Sequence, residues 1–342
     1  MGKTAAERIA EAAREPEIQR TAAAAAALTG AAATAGKLVS DRARRRRRDE
    51  RRFRLRSAEP LDDGVRRAAR GRVDDAVDHL EGRMREDGST AVHEARKSLK
   101  RARALVRLGR DALGDEAYRR ENAAYRAAGR RLAAARDAEV VVQTLDGVTE
   151  RYADELRPDA DTALHERLER EREAARAALE DDGDERDGTV ASLEQGRARI
   201  ATWELADDIA PLARGLRRIY RRGRRRMRDA RKDPSVEALH EWRKRVKDLW
   251  HAYELLRPAR PKQMKRCAKE VHRLADLLGE DHDLAVLRAR ARRPDLRAVI
   301  DRRRGELQDE AFALGERVYA RKPGAVARRV KKRWPPRAAA SA

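Results

Sequence analysis

From Phe53 to the end of the chain, apolar residues recur at intervals of three and four, and apolar and polar residues nowhere alternate as along a half-buried strand. That spacing admits helices and little else. The residue types agree: with only 2 Phe and 6 Tyr, aromatics make up 4% of the 342 residues, too few of the large side chains that strands favour. The same scarcity argues against base-stacking platforms for single-stranded nucleic acid. No Leu/Ile/Phe-rich run is long enough to span a bilayer. Cys267 is the single cysteine, which excludes a disulfide framework and a cysteine-based zinc site and makes the reducing cytoplasm the expected compartment.

Breaks in the pattern fall at Pro60, Asp87-Gly88, Gly114-Asp115, Pro158, residues 181–188, Asp233-Pro234, residues 258–261, Gly279, Pro294 and Pro323. They predict eight or nine helices. Residues 53–335 read as one helical region. Its first half runs to about 180, an acidic, Gly-containing linker follows to about 190, and the second half occupies about 191–335. Residues 1–52 form an Ala- and Arg-rich arm expected to be flexible, and 336–342 a short tail. The arm is a poor signal peptide, because Glu7, Glu11, Glu15 and Glu17 lie where one would carry cations.

The chain holds 82 Lys and Arg against 60 Asp and Glu, a net charge of +22, so a polyanionic partner is expected. Arginine accounts for 69 of the cations, an excess that nucleotide bias can also produce, so their placement is more informative than their number. Residues 210–260 concentrate 17 basic residues against 6 acidic ones.

The two halves repeat a motif. Val92-His93-Glu94-Ala95-Arg96-Lys97-Ser98-Leu99-Lys100 matches Leu239-His240-Glu241-Trp242-Arg243-Lys244-Arg245-Val246-Lys247, and His93 and His240 are 147 positions apart. Arg136-Asp137 follows the first copy at nearly the spacing at which His282-Asp283 follows the second. On a helix, Arg96, Lys97, Lys100 and Arg107 fall within about 60° of His93, while Val92, Ala95, Leu99, Ala102 and Val106 gather on another side. The second copy places His240, Arg243, Lys244 and Lys247 on a polar strip and Leu239, Trp242, Val246, Leu249 and Tyr253 on an apolar one, with Glu254 at the position of Arg107. Cations at these spacings repel by a few tenths of a kcal/mol per pair. Carboxylates from neighbouring helices or an anionic ligand must offset that. The run 208–231 adds Arg214, Arg217, Arg218, Arg221, Arg224, Arg225 and Arg228 around an apolar seam.

At these residues the chain resembles the CHAD family of α-helical histidine-motif domains, over about residues 53–334. The marks are the two copies of His-x-x-Arg-x-x-x-Lys, the Arg136-Asp137 and His282-Asp283 pairs, and the Arg-rich helix before the second copy. The resemblance implies two four-helix bundles related by pseudo-twofold symmetry around a central basic cavity. It also implies binding of inorganic polyphosphate without catalysis, in the cytoplasm and in association with polyphosphate granules. Carried over by motif position, the binding set is His93, Arg96, Lys100, Arg136, His240, Arg243, Lys247 and His282, joined by Arg218, Arg221 and Arg225; Lys97 and Lys244 complete the strips. No cofactor, metal or catalytic residue is implied. Ala134-Ala135 stand where the family often has a Gly turn, and with Glu254 they suggest unequal halves.

Two other chemistries compete. A helical nucleic-acid-binding protein would use the same basic surface, with residues 44–48 as an auxiliary arm, though no helix-turn-helix or zinc-finger spacing occurs. An HD-type metal-dependent phosphohydrolase would draw on His240 or His251, His272 and His282-Asp283, but the first copy has Arg136 in place of His282. The Glu-x-Glu-x-Lys signature of the triphosphatase often fused to CHAD domains is absent: residues 169–173 lack the Lys.

Overall fold

The computed structural model describes residues 51–82, 88–132, 134–157, 162–181 and 183–335, and for 134–136 and 179–181 the backbone alone. The arm before residue 51 and the tail after 335 lie outside the described residues. A compact unit begins at Phe53.

Twelve α-helices occur among the described residues, and no strand. They are α1 (Leu61–Gly82), α2 (Gly88–Leu108), α3 (Arg110–Leu113), α4 (Asp115–Arg131), α5 (Ala134–Arg151), α6 (Thr162–Asp181), α7 (Gly183–Ala201), α8 (Ala210–Lys232), α9 (Val236–Leu255), α10 (Pro261–Arg290), α11 (Pro294–Val318) and α12 (Pro323–Arg333). The chain is more segmented than the breaks predict. The acidic stretch read as a linker is helical up to Asp181 and again from Gly183. Gly279 does not interrupt α10, since a buried glycine in a 30-residue helix costs only about 1 kcal/mol.

Local chemistry sets the boundaries that matter. Proline stands in the first turn of α8, α10, α11 and α12, where its missing N–H loses nothing. Asp233-Pro234 ends α8, and Ser235 caps α9, its side-chain oxygen accepting from the Ala238 N–H at 3.3 Å. That cap starts the helix five residues before His240.

Neighbouring helices pack in two runs: α1 with α2, α2 with α4 and α5 with α6, then α8 with α9, α9 with α10 and α10 with α11. Across the runs α2 meets α9, α5 meets α10, and α8 meets α2 and α3. A single hydrophobic cluster extends through all of them. Trp242 is fully buried and stacks on Phe312 at 5.2 Å between ring centroids and 17° between planes. The α8–α2 approach depends on Gly215, where a Cβ would overlap the Leu108 carbonyl oxygen. Glu121, fully buried, is held by Arg199 at 2.9 Å and Arg120 at 3.2 Å.

Candidate functional site

The strip-bearing helices α2 and α9 lie against each other, and α5 and α10, which carry the Arg-Asp and His-Asp pairs, do likewise. Much of the expected set is thereby brought together. His240 on α9 and His282 on α10 lie ring against ring, 4.3 Å between centroids and 32° between planes. Their Nδ1 atoms are both buried without a hydrogen-bond partner, as is the Nε of Arg243.

The same ion pairs occur in both copies. The Arg96 guanidinium donates to Asp137 at 3.3 Å, and Arg243 faces Asp283 at 3.7 Å. Lys97 donates to Glu94 at 3.0 Å and Lys244 to Glu241 at 2.6 Å, each pair lying within its own helix. Part of each strip is therefore neutralised by the protein's own carboxylates. Lys97 and Lys244 sit at the exposed edge, where such pairs contribute at most about 1 kcal/mol. Gly279 lets the Arg243 guanidinium lie close against α10: a Cβ there would be 3.2 Å from its Nη2.

The remaining charge is poorly compensated. Lys247 makes no ion pair or hydrogen bond among the described residues. Burial, then the nearby charges of Arg243 and Lys100, brings its amine down from 10.5 to about 7, against the opposing pull of Asp283 and Asp276. The motif lysines of the two halves are thus near neighbours. His240 falls to about 4 through burial, then through the charges of His282, Lys244 and Arg243. His282 falls to about 4 through burial, then Arg243 and Lys247, with Asp137 from the first half acting the other way. Arg243 is lowered by burial despite Asp283, Asp276 and Asp281.

The remaining expected residues lie on α2, on α8 or outside the described side chains. The side chain of Arg136 is outside the described residues. His93 and Lys100 lie on α2, partly buried and exposed respectively. Arg218 donates to Asp111 at 2.5 Å and to the Arg107 carbonyl at 3.1 Å, tying α8 to α2 and α3. Arg221 and Arg225 are exposed on α8 and make no ion pair among the described residues.

Sequence reasoning missed a second cationic cluster. Asp248, buried on α9, accepts from Arg107 at 2.6 Å and faces Arg245 at 3.1 Å. Arg103 and Arg222 lie near enough to share its field. The signal available was the i,i+3 pair Arg245–Asp248 on the border of the apolar stripe, easily read as surface charge.

His251 and His272, the remaining material for an HD-type centre, are engaged elsewhere: His251 with Phe53, Trp250 and Glu254, His272 with Trp250 and with Asp276 at 2.6 Å. Among the described residues no group of three or more His, Cys, Asp or Glu is placed to hold a metal ion. No helix of the described residues is long and apolar enough to cross a membrane.

These features define a helical domain, among the described residues, whose two matched cationic helices α2 and α9 lie against each other while His240 of α9 lies ring against ring on His282 of α10. The family profile of the CHAD domain matches residues 67–292, well over half the chain, and the protein belongs to the CHAD family. No curated protein matches the chain. The matched segment stops before α11, although Phe312 of that helix covers Trp242.

Proposed function

We propose that the protein binds inorganic polyphosphate, without catalysis, in a basic cavity lined by the strips of α2 and α9. In this reading the domain comprises two four-helix bundles related by a pseudo-twofold axis, and the cavity lies where they meet. The observation that carries the proposal is the convergence on α9 and α10 of the Lys247 amine with three buried polar atoms that have no partner, the Arg243 Nε and the two histidine Nδ1 atoms. Folding leaves buried polar atoms unmatched only at a cost of about 1–3 kcal/mol each. An anion entering among them recovers it.

Membership of the CHAD family supports the choice of anion, since that is a polyphosphate-binding family. The chemistry agrees. Cations on one helical face recur about every 5–6 Å, so successive phosphates can meet successive side chains, and Arg243 offers planar, bidentate donors. Nothing in the reading calls for a metal, and the cations around His240 and His282 would repel one. The binding residues are His93, Arg96, Lys100, Arg136, His240, Arg243, Lys247 and His282, with Lys97 and Lys244 at the rim. Arg218 belongs to the reading less directly, because Asp111 already holds it. The proposed setting is the cytoplasm, at polyphosphate granules.

Calorimetry at physiological salt tests this. Long-chain polyphosphate is expected to bind more tightly than duplex DNA, with affinity falling steeply as salt rises through counterion release. Equal or stronger binding to DNA would replace this reading with general nucleic-acid binding. Incubation with the protein is expected to release no orthophosphate from the chain.

A further inference from the structure

Resting on that reading, we propose that Arg103, Arg107, Arg222 and Arg245 around Asp248 form a second phosphate subsite, which extends the His/Arg/Lys site past the α2–α9 contact onto α8. The cluster draws on three helices: Arg103 and Arg107 from α2, Arg245 and Asp248 from α9, and Arg222 from α8. Asp248 holds Arg107 and Arg245, and no other carboxylate among the described residues pairs with these four arginines. Arg107, Arg222, Arg245 and Asp248 line a small pocket, and Arg218 and Arg110 at its edge are already paired with Asp111 and Asp115.

Arg103 and Arg222 make no ion pair or hydrogen bond among the described residues, and the Nε atoms of Arg103 and Arg245 are buried without a partner. Burial, followed by the charge of Arg107, takes Arg103 down to about 10, and Arg222 is lowered by partial desolvation of its guanidinium and then by Arg245. One carboxylate thus serves four guanidinium groups. Phosphate oxygens would supply the missing acceptors.

The internal repeat provides a control within the molecule. At the 147-residue spacing Arg103 corresponds to Trp250 and Arg107 to Glu254, and at the 146-residue spacing of the Arg-Asp and His-Asp pairs Arg126 corresponds to His272. In the second half Trp250 and His272 meet edge to face at 4.0 Å, and Glu254 pairs with His251. The fold therefore accepts an aromatic pair and a carboxylate where the first half gathers arginines. Packing does not require the cations there.

The subsite also continues the first one. Lys100, Arg103 and Arg107 occupy one face of α2, and the seven helical steps from Lys100 to Arg107 rise about 10 Å. A long polyphosphate can follow that face from the histidine pair to α8, whereas tripolyphosphate is too short to reach both ends.

The test compares wild type, Arg222→Gln, Arg103→Met with Arg222→Gln, and Lys247→Met, each titrated with long-chain polyphosphate and with tripolyphosphate at several salt concentrations. Arg222 is exposed, so its single variant folds whatever becomes of the double one. The double variant is expected to lose about tenfold in long-chain affinity and about 1.5 from the salt slope, with a smaller loss for tripolyphosphate. Lys247→Met should weaken both ligands alike. Wild-type binding with unchanged long-chain affinity and salt slope in both Arg222 variants would overturn the subsite and leave the first site standing. Absence of wild-type binding to either ligand would overturn the function itself, and the subsite with it.

Discussion

Replacing Lys247 with Met is expected to weaken polyphosphate binding at least tenfold while raising the melting temperature of the free protein. The two effects share a cause. Lys247 is largely buried among Arg243 and Lys100, and its amine, at about 7, is already half neutralised in the free protein at neutral pH. A charge in that position opposes folding until an anion arrives. Methionine keeps the unbranched length and removes the charge, a change of the kind that stabilises by about 1 kcal/mol, or about 2 °C in a domain of this size. Thermal unfolding monitored by circular dichroism, with and without long-chain polyphosphate, reads both effects. A fall in the melting temperature of the free variant would assign Lys247 to the structure rather than to the ligand.

The second large effect is a two-sided pH profile. The native histidines, at about 4, bind fewer protons than their unfolded forms near 6.5. Their contribution to the free protein's stability is therefore lost as pH falls from 6.5 toward 4. A bound polyanion reverses the preference. If it restores each ring to its ordinary value, affinity rises on the order of tenfold per histidine between pH 7 and 5. On the alkaline side Lys247 titrates from about 7 in the free protein, so affinity should fall as pH rises from 7 toward 10.5, while its contribution to the stability of the free protein increases. The groups facing the rings are Glu241, Arg243, Lys244 and Lys247 on α9 and Asp137 on α5, with Asp283 on α10 facing Arg243. Isothermal titration across pH 5–9 with long chains should show both branches. His240→Gln with His282→Gln should flatten the acid branch alone, and Lys247→Met the alkaline one. An acid branch unchanged in the histidine variants would remove the pair from the site.

The all-helical fold was legible from periodicity and the family from the doubled motif, whereas the approach of α2 to α9 was an expectation only through the resemblance. A strip of His, Arg and Lys opposite a strip of Leu, Trp and Val predicts which side of the helix is buried wherever that helix goes. The contact between His240 and His282 was not legible, since they lie on different helices and only packing brings their rings to 4.3 Å. The short α3 escaped notice because four residues are too few to show a period. Asp248 escaped for a related reason. A lone acid at the border of an apolar stripe reads as surface, and its burial is visible only once Arg107 arrives from 141 positions away. The sequence marks Glu254 as a departure from the basic strip, and the structure gives it His251 as a partner.

The stacking of Trp242 on Phe312 bears on how the protein is made. Trp242 lies at the centre of the apolar stripe opposite His240, Arg243 and Lys247, and Gly315 leaves room for its ring between α11 and Met227. On the ribosome α9 emerges some 70 residues before Phe312, at a pace of about 5–20 residues per second. For those seconds its indole lacks the Phe312 ring that covers it in the folded protein. The apolar face behind the second strip is therefore completed only once Phe312 and Gly315 of α11 have been synthesised.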